Sequence, residues 1–161
     1  MKKKKVQKTN VMRLLDKEKV TYDVHEYVWD EEHLDAITAA DKTGDPHEKI
    51  FKTLVTTGDK TGITVACIPS KKELDLKALA KVSGNKKVEM LPMKDMENIT
   101  GYIRGGCSPI GMKKHFPTYV ATQAESMDTM IVSAGKRGMQ VELAPNDLQR
   151  MTNAVFGDFT V

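Results

Sequence analysis

Ile50-Phe51-Lys52-Thr53-Leu54-Val55-Thr56-Thr57, then Gly58-Asp59-Lys60-Thr61-Gly62, then Ile63-Thr64-Val65-Ala66-Cys67-Ile68 is the stretch on which the fold turns. β-Branched and apolar residues fill both runs, and the glycines bounding the loop permit the chain to reverse, so the segment predicts a β-hairpin. Apolar residues flank Lys52 on both sides, which implies a strand covered on both faces. A lysine in that setting has two readings. Its methylene stem extends along apolar surface with the ammonium in water, or the ammonium is aimed into a pocket to hold a phosphate or carbonyl oxygen, where desolvation strengthens its field.

Towards the N-terminus, residues 9–19 read as an amphipathic helix with Val11, Leu14 and Leu15 on one side and Thr9 or Asn10 as the cap. The alternation over 20–27 predicts a half-buried strand with Tyr22 and Val24 on one face. Residues 29–49 suggest a short helix around Leu34, Ile37 and Ala40, broken at Thr43-Gly44-Asp45-Pro46 before a further helical turn. Towards the C-terminus, 74–83 predicts a helix capped by Asp75 and stopped by Gly84. A short strand at 87–90 leads to helical turns started by Pro92. Strands are expected at 118–121, 129–133 and 139–143, the last two joined around Gly135-Lys136-Arg137-Gly138. A final helix starts at Pro145 and carries Leu148, Met151 and Val155. Hairpins dominate these connections, and neither an internal repeat nor a Ser- or Pro-rich linker divides the chain. The expected fold is therefore α+β, with a mixed, mostly antiparallel, curved sheet and flanking helices. It forms a single domain over 9–161.

Composition restricts the function classes. A chain of 161 residues with 40% hydrophobic content supports one modest core. No run approaches the roughly 20 apolar residues of a membrane span, and no apolar secretory segment follows the lysine-rich start, so a cytoplasmic location is expected. Cys67 and Cys107 lack zinc-ligand spacing, and His25, His33, His47 and His115 lack the i, i+4 pairing of a helical metal site. Neither a metal nor another cofactor is expected, and the thiols should be reduced. The net charge of +3 owes much to Lys2, Lys3, Lys4, Lys5 and Lys8, which read as a basic, mobile arm over 1–8 or as a nonspecific phosphate contact. Ten methionines scattered over helices and loops read as core filler.

GYIRGGCSPIG, residues 101–111, concentrates four glycines and a proline, which lets a ligand approach backbone N–H groups closely or simply makes turns. The spacing from Gly106 to Gly111 resembles a phosphate-binding loop, but Met112 stands where its lysine belongs and the hydroxyl residue is missing, which excludes triphosphate hydrolysis. Cys107 is a weak nucleophile candidate, with His115 or His25 as base, because no partner is recognisable. Ser108 and Ser133 lack the GxSxG setting of a hydrolase serine. Any RNA contact must be local, at Lys86 and Lys87, Arg104, Lys113 and Lys114 with His115, or Lys136 and Arg137 at the predicted hairpin tip.

Taken together, HEY (25–27), FKTLV (51–55), LDLKALAKVSGNKKVEM (74–90), TGYIRGGCSPIGMKK (100–114), PTYV (117–120) and IVSAGKRGMQVEL (131–143) resemble the Cys-tRNA(Pro)/Cys-tRNA(Cys) deacylase family of YbaK/EbsC type. That family is related to the editing domain of bacterial prolyl-tRNA synthetase. The resemblance covers the chain from about residue 10 and implies a barrel-like sheet. It also implies an enzyme that removes cysteine from mischarged Cys-tRNA(Pro), with aminoacyl-tRNA as substrate and prolyl-tRNA synthetase as a partner in a ternary complex. By the family's pattern Lys52 is the central catalytic residue. Tyr27, Thr53, Gly105, Gly106, Ser108 and Ser133 match substrate-binding positions. Gln140 stands where relatives can carry aspartate, so an acidic role there does not carry over. The family resemblance also supplies a mechanism without a protein nucleophile, in which the substrate's thiol attacks its own ester. A noncatalytic tRNA- or synthetase-binding adaptor, and water-mediated editing of Ala-tRNA(Pro), are the alternatives.

Overall fold

The computed structural model describes residues 8–27 and 47–161. Helix α1 spans Asn10–Lys17, and Thr9 sets its start by accepting the Met12 amide at 3.3 Å on its hydroxyl. Its Val11, Met12 and Leu15 are buried. Strand β1, Tyr22–Glu26, follows. The expected helix around Leu34 to Ala40 and most of the basic arm lie outside the described residues. Lys8, assigned to that arm, pairs with Asp16 on α1.

The hairpin forms where the sequence places it. Strand β2 (Phe51–Gly58) pairs antiparallel with β3 (Gly62–Pro69), from Phe51↔Pro69 to Gly58↔Gly62. Buried Asn85 fastens its turn: the side-chain oxygen accepts the amides of Lys60 (2.8 Å) and Thr61 (2.9 Å), while its nitrogen donates to the hydroxyls of Thr61 and Ser83. Helix α2 (Leu76–Ser83) starts at Asp75, which accepts the Ala78 amide at 3.0 Å, and stops at Gly84 with φ 79°. Strand β4 (Val88–Met90) then joins the far half of β2, pairing Thr56↔Met90 to Gly58↔Val88.

Helix α3 (Met93–Thr100) leads into the glycine loop, and β5 (Thr118–Ala121), β6 (Met130–Lys136), β7 (Met139–Leu143), α4 (Pro145–Thr152) and β8 (Val155–Gly157) complete the order. Among the described residues the strands divide between two sheets. One is antiparallel, in the order β1-β7-β6; the other runs β4-β2-β3-β5-β8, with β5 parallel to both β3 and β8. Ile50 and Ile131 bridge the two. The α+β class and the mixed, largely antiparallel pairing agree with expectation. A single core cluster joins α1, β6 and β7 to β3, α2 and α4 through Leu15, Val132, Val141, Ile68, Leu79 and Leu148. Burying each such side chain contributes about 1.5–3 kcal/mol.

Two boundaries differ from the sequence reading. Val155 fits an apolar helical spacing after Leu148 and Met151, yet the last helix ends at Thr152, Asn153 turns into the left-handed region (φ 55°), and Val155 opens β8 beside β5. Once the asparagine ends the helix, the open edge of β5 supplies the ladder that the next residues join. Strand β6 runs to Lys136 rather than Ser133, through an irregularity between those residues where Gly135 has φ 87°.

Candidate active site

Strand β2 has two unlike edges. One is paired with β3 along its length. On the other, Ile50 just before the strand meets β6 and β4 joins only from Thr56, so 51–54 have no strand partner there among the described residues. A cleft of about 340 Å³ opens beside this stretch and is lined by Lys52, Thr53 and Leu54. Lys52 and Thr53 are half-buried. No carboxylate among the described residues forms an ion pair with the Lys52 ammonium. Lys52 therefore lies against the cleft, with a charge that an oxyanion or phosphate can approach.

The small sheet supplies a polar wall. His25, Gln140 and Ser133 sit opposite one another on β1, β7 and β6, which puts their side chains on one face. Gln140 and Ser133 line the cleft. Gln140 is 5% exposed and its Oε1 has no hydrogen-bond partner among the described residues. Such an atom costs about 1–3 kcal/mol of desolvation unless a ligand or water completes it. Ser133 Oγ accepts the Gly135 amide at 3.1 Å. Further along the face, Glu142 takes hydrogen bonds from Thr129 and from His25 (2.8 Å), with Lys49 at 3.5 Å. Thr129 first, then His25 and Lys49, hold the Glu142 carboxyl below its usual range.

The glycine loop closes the cleft's third side through Arg104, Gly105 and Cys107. Its base is tied by the Tyr102 hydroxyl, which donates to Ile110 O at 2.6 Å. Its tip is tied to the β6–β7 turn, where Arg137 Nε donates to Arg104 O at 2.8 Å. Gly106 eases that approach, since a Cβ there would stand a tight 3.1 Å from Arg137 N. Gly105 adopts φ 86°. Tyr27 lines the cleft and binds the same turn, its amide donating to Gly138 O at 2.9 Å. Burial raises its phenol pKa, while the Gly138 backbone and Arg137 oppose that shift.

The predicted residues are thus partly assembled. Lys52, Thr53, Tyr27, Gly105, Ser133 and Gln140 line one cleft; Gly106 and Ser108 do not. Ser108 is fully buried within the loop and accepts the Ile110 amide at 3.3 Å. Lys136 and Arg137 belong to the turn that holds the loop, Lys113 lies over Gly101 and donates to Asn98 O, and Lys114 borders a separate cavity of about 130 Å³ with His115. Cys107 reaches the cleft, but burial pushes its thiol up to about 12, so it is protonated at neutral pH and unsuited to nucleophilic attack.

Met90, Leu91, Met93 and Met96 form a wall of the cleft that the sequence reading missed. Met12 and Met130 are core filler as expected, whereas Met90 and Met93 are 47% and 53% exposed. The legible signal was the i, i+3 spacing of Met93 and Met96, which places both on one side of a helix.

Known proteins resemble this chain at two levels, sequence family and fold. The model of the aminoacyl-tRNA editing domain matches residues 30–151. A protein of Enterococcus faecalis (strain ATCC 700802 / V583), EbsC, named as a proposed Cys-tRNA(Pro)/Cys-tRNA(Cys) deacylase, is 59% identical over 159 residues, covering 99% of this chain and 97% of that one. Among solved structures, a proposed trans-editing enzyme for prolyl tRNA synthetase superposes with a TM-score of 0.79 at 21% identity, over 96% of this chain and 99% of that one. A hypothetical protein superposes with a TM-score of 0.81 at 21% identity, over 94% and 99%. At that identity the structural likenesses speak for the fold, whereas the family model and the Enterococcus relative together establish that this chain belongs to the aminoacyl-tRNA editing domain family.

Proposed function

We propose that this protein is an aminoacyl-tRNA deacylase that removes cysteine from mischarged Cys-tRNA(Pro). The observation that carries the reading is a cleft with an ammonium at Lys52 and a cysteine, Cys107, too basic to serve as nucleophile. The 59% identity to a relative named for Cys-tRNA deacylation supports the substrate. A synthetase pocket separates amino acids of similar size poorly, which is why a second, editing site is needed.

The substrate supplies the attacking group. Its thiol sulfur bonds to the ester carbonyl carbon, the bond from that carbon to the ribose oxygen breaks, and the thiol proton ends on that oxygen. The products are a cyclic thiolactone and tRNA with a free hydroxyl. An intramolecular nucleophile has a high effective molarity, so the protein's task is to hold the substrate folded and to stabilise charge on the carbonyl and leaving oxygens. Lys52 carries the stabilisation, Gly105 supplies backbone to the carbonyl oxygen, and Tyr27, Thr53, Ser133 and Gln140 orient the aminoacyl group. Lys136 and Arg137, beside the loop, contact the RNA backbone, with Lys113 and Lys114 further along it. The enzyme acts in the cytoplasm beside prolyl-tRNA synthetase, which supplies the tRNA discrimination that a chain of net charge +3 does not provide alone.

Purified protein is incubated with Cys-tRNA(Pro) and Ala-tRNA(Pro). Loss of cysteine alone, with Lys52→Ala slowing it by on the order of 10²-fold, is the expected result. Equal loss of both esters overturns the thiol-assisted route. No loss above the buffer rate, with binding retained, favours an adaptor.

A further inference from the structure

The cleft has walls of opposite character. Gln140, Ser133 and Gly105 make one side polar, whereas Leu91, Met93 and Met96 make the other apolar and continuous with exposed Met90. The apolar side is anchored to β2, since the Leu91 amide donates to Val55 O at 3.0 Å and Met90 pairs with Thr56. Lys52 lies between the walls, because β2 runs from the Ile50–Ile131 bridge to that pairing. Three residues separate Lys52 from Val55, about 10 Å of strand, which is the scale of a nucleoside. The cleft's volume of about 340 Å³ equals on the order of ten waters, more than a cysteinyl group fills.

Resting on the deacylase reading, we propose that Leu54, Met90, Leu91, Met93 and Met96 form the subsite for the purine base of the substrate's terminal adenosine. With the ester carbonyl at Lys52 and the aminoacyl group against Gln140 and Ser133, the ribose spans the cleft and its base meets the methionines. Thioethers on flexible side chains adapt to a flat ring and make favourable sulfur–aromatic contacts. Recognition by shape and stacking suffices here, because every tRNA ends in the same adenosine and the base edge need not be read. Two large methionines left half-exposed beside a charged cleft become covered when the base is bound.

Two measurements test the subsite separately from turnover. In full-length protein with carbon-13 methionine methyls, a non-hydrolysable 3′-cysteinylamido-adenosine should shift the Met90, Met93 and Met96 signals by ring current, while those of core Met12 and Met130 stay in place. An analogue with hydrogen in place of the base should leave all five unmoved. In kinetics, Met93→Ser, at a 53% exposed position, should raise KM at least threefold for the cysteinyl ester of adenosine and leave KM unchanged for the base-free ester. Failure of the methionine signals to shift, or an equal KM effect on both esters, overturns the subsite. Cleavage of neither ester overturns the deacylase reading instead, and the methyl shifts still decide where the base binds.

Discussion

Single residues in this cleft trade stability for binding. Gln140 is the clearest case, a buried amide whose oxygen lacks a partner among the described residues. Replacing it with methionine removes a polar group that the folded protein leaves unsatisfied, so Gln140→Met should be neutral or stabilising by up to about 1 kcal/mol in chemical denaturation. The same variant should raise KM for Cys-tRNA(Pro) several-fold. A loss of stability with unchanged KM would make Gln140 structural. The thiols behave oppositely, since burial holds Cys67 and Cys107 at about 12. Iodoacetamide at pH 8 should therefore label neither in the folded protein, as read by mass spectrometry, and rapid labelling of Cys107 would restore it as a nucleophile candidate. Lys52 was conspicuous in the sequence as a charge inside an apolar run. Gln140 was marked only by the resemblance, because a lone glutamine in a strand carries no signal of burial.

At the scale of elements, the β2–β3 hairpin depends on a residue outside it. Asn85 satisfies two turn amides and bonds two hydroxyls, and a Cβ on Gly58 would stand 2.4 Å from its nitrogen. Asn85→Ala should cost about 2–3 kcal/mol, because it removes hydrogen bonds to two turn amides and two hydroxyls, each contributing about 0.5–1.5 kcal/mol. For a domain of this size that lowers Tm by roughly 5–10 °C, measurable by calorimetry. The hairpin, the Asp75 cap and the Gly84 stop were all legible, each being set by residues within a few positions of one another. The Asn85 clamp was not, since Lys60 and Thr61 lie more than twenty positions away. Strand β8 escaped for a related reason: Leu148, Met151 and Val155 keep a helical spacing, and only the edge of β5 makes a strand of the last of them.

Across the whole molecule, Glu142 links β7 to β1 through His25, and to Thr129 and Lys49. Its carboxyl is held below the ordinary value of 4.5. The stabilisation from this group is therefore fully present above about pH 4.5 and is lost as pH falls through the lower folded value. Glu142→Gln should show a shallower decline of Tm on acidification below pH 4.5 than the parent. An identical decline would show that the network does not contribute.

Local order was readable in the residues themselves: period-two alternation in β1, the β-branched apolar runs of β2 and β3, caps at Thr9, Asp75 and Gly84, and the glycines that turn each hairpin. These features depend on neighbours in the chain, where backbone sterics and short-range hydrogen bonds decide the outcome. The resemblance added the identity of a pocket, but the cleft itself exists only after folding. It forms because β4 covers only part of β2, the second sheet meets β2 near Ile50, and the glycine loop is drawn over the gap by Arg137. Each of those contacts joins distant segments, and burial against one another, rather than any local preference, set the apolar methionine wall opposite Gln140 with Lys52 between them.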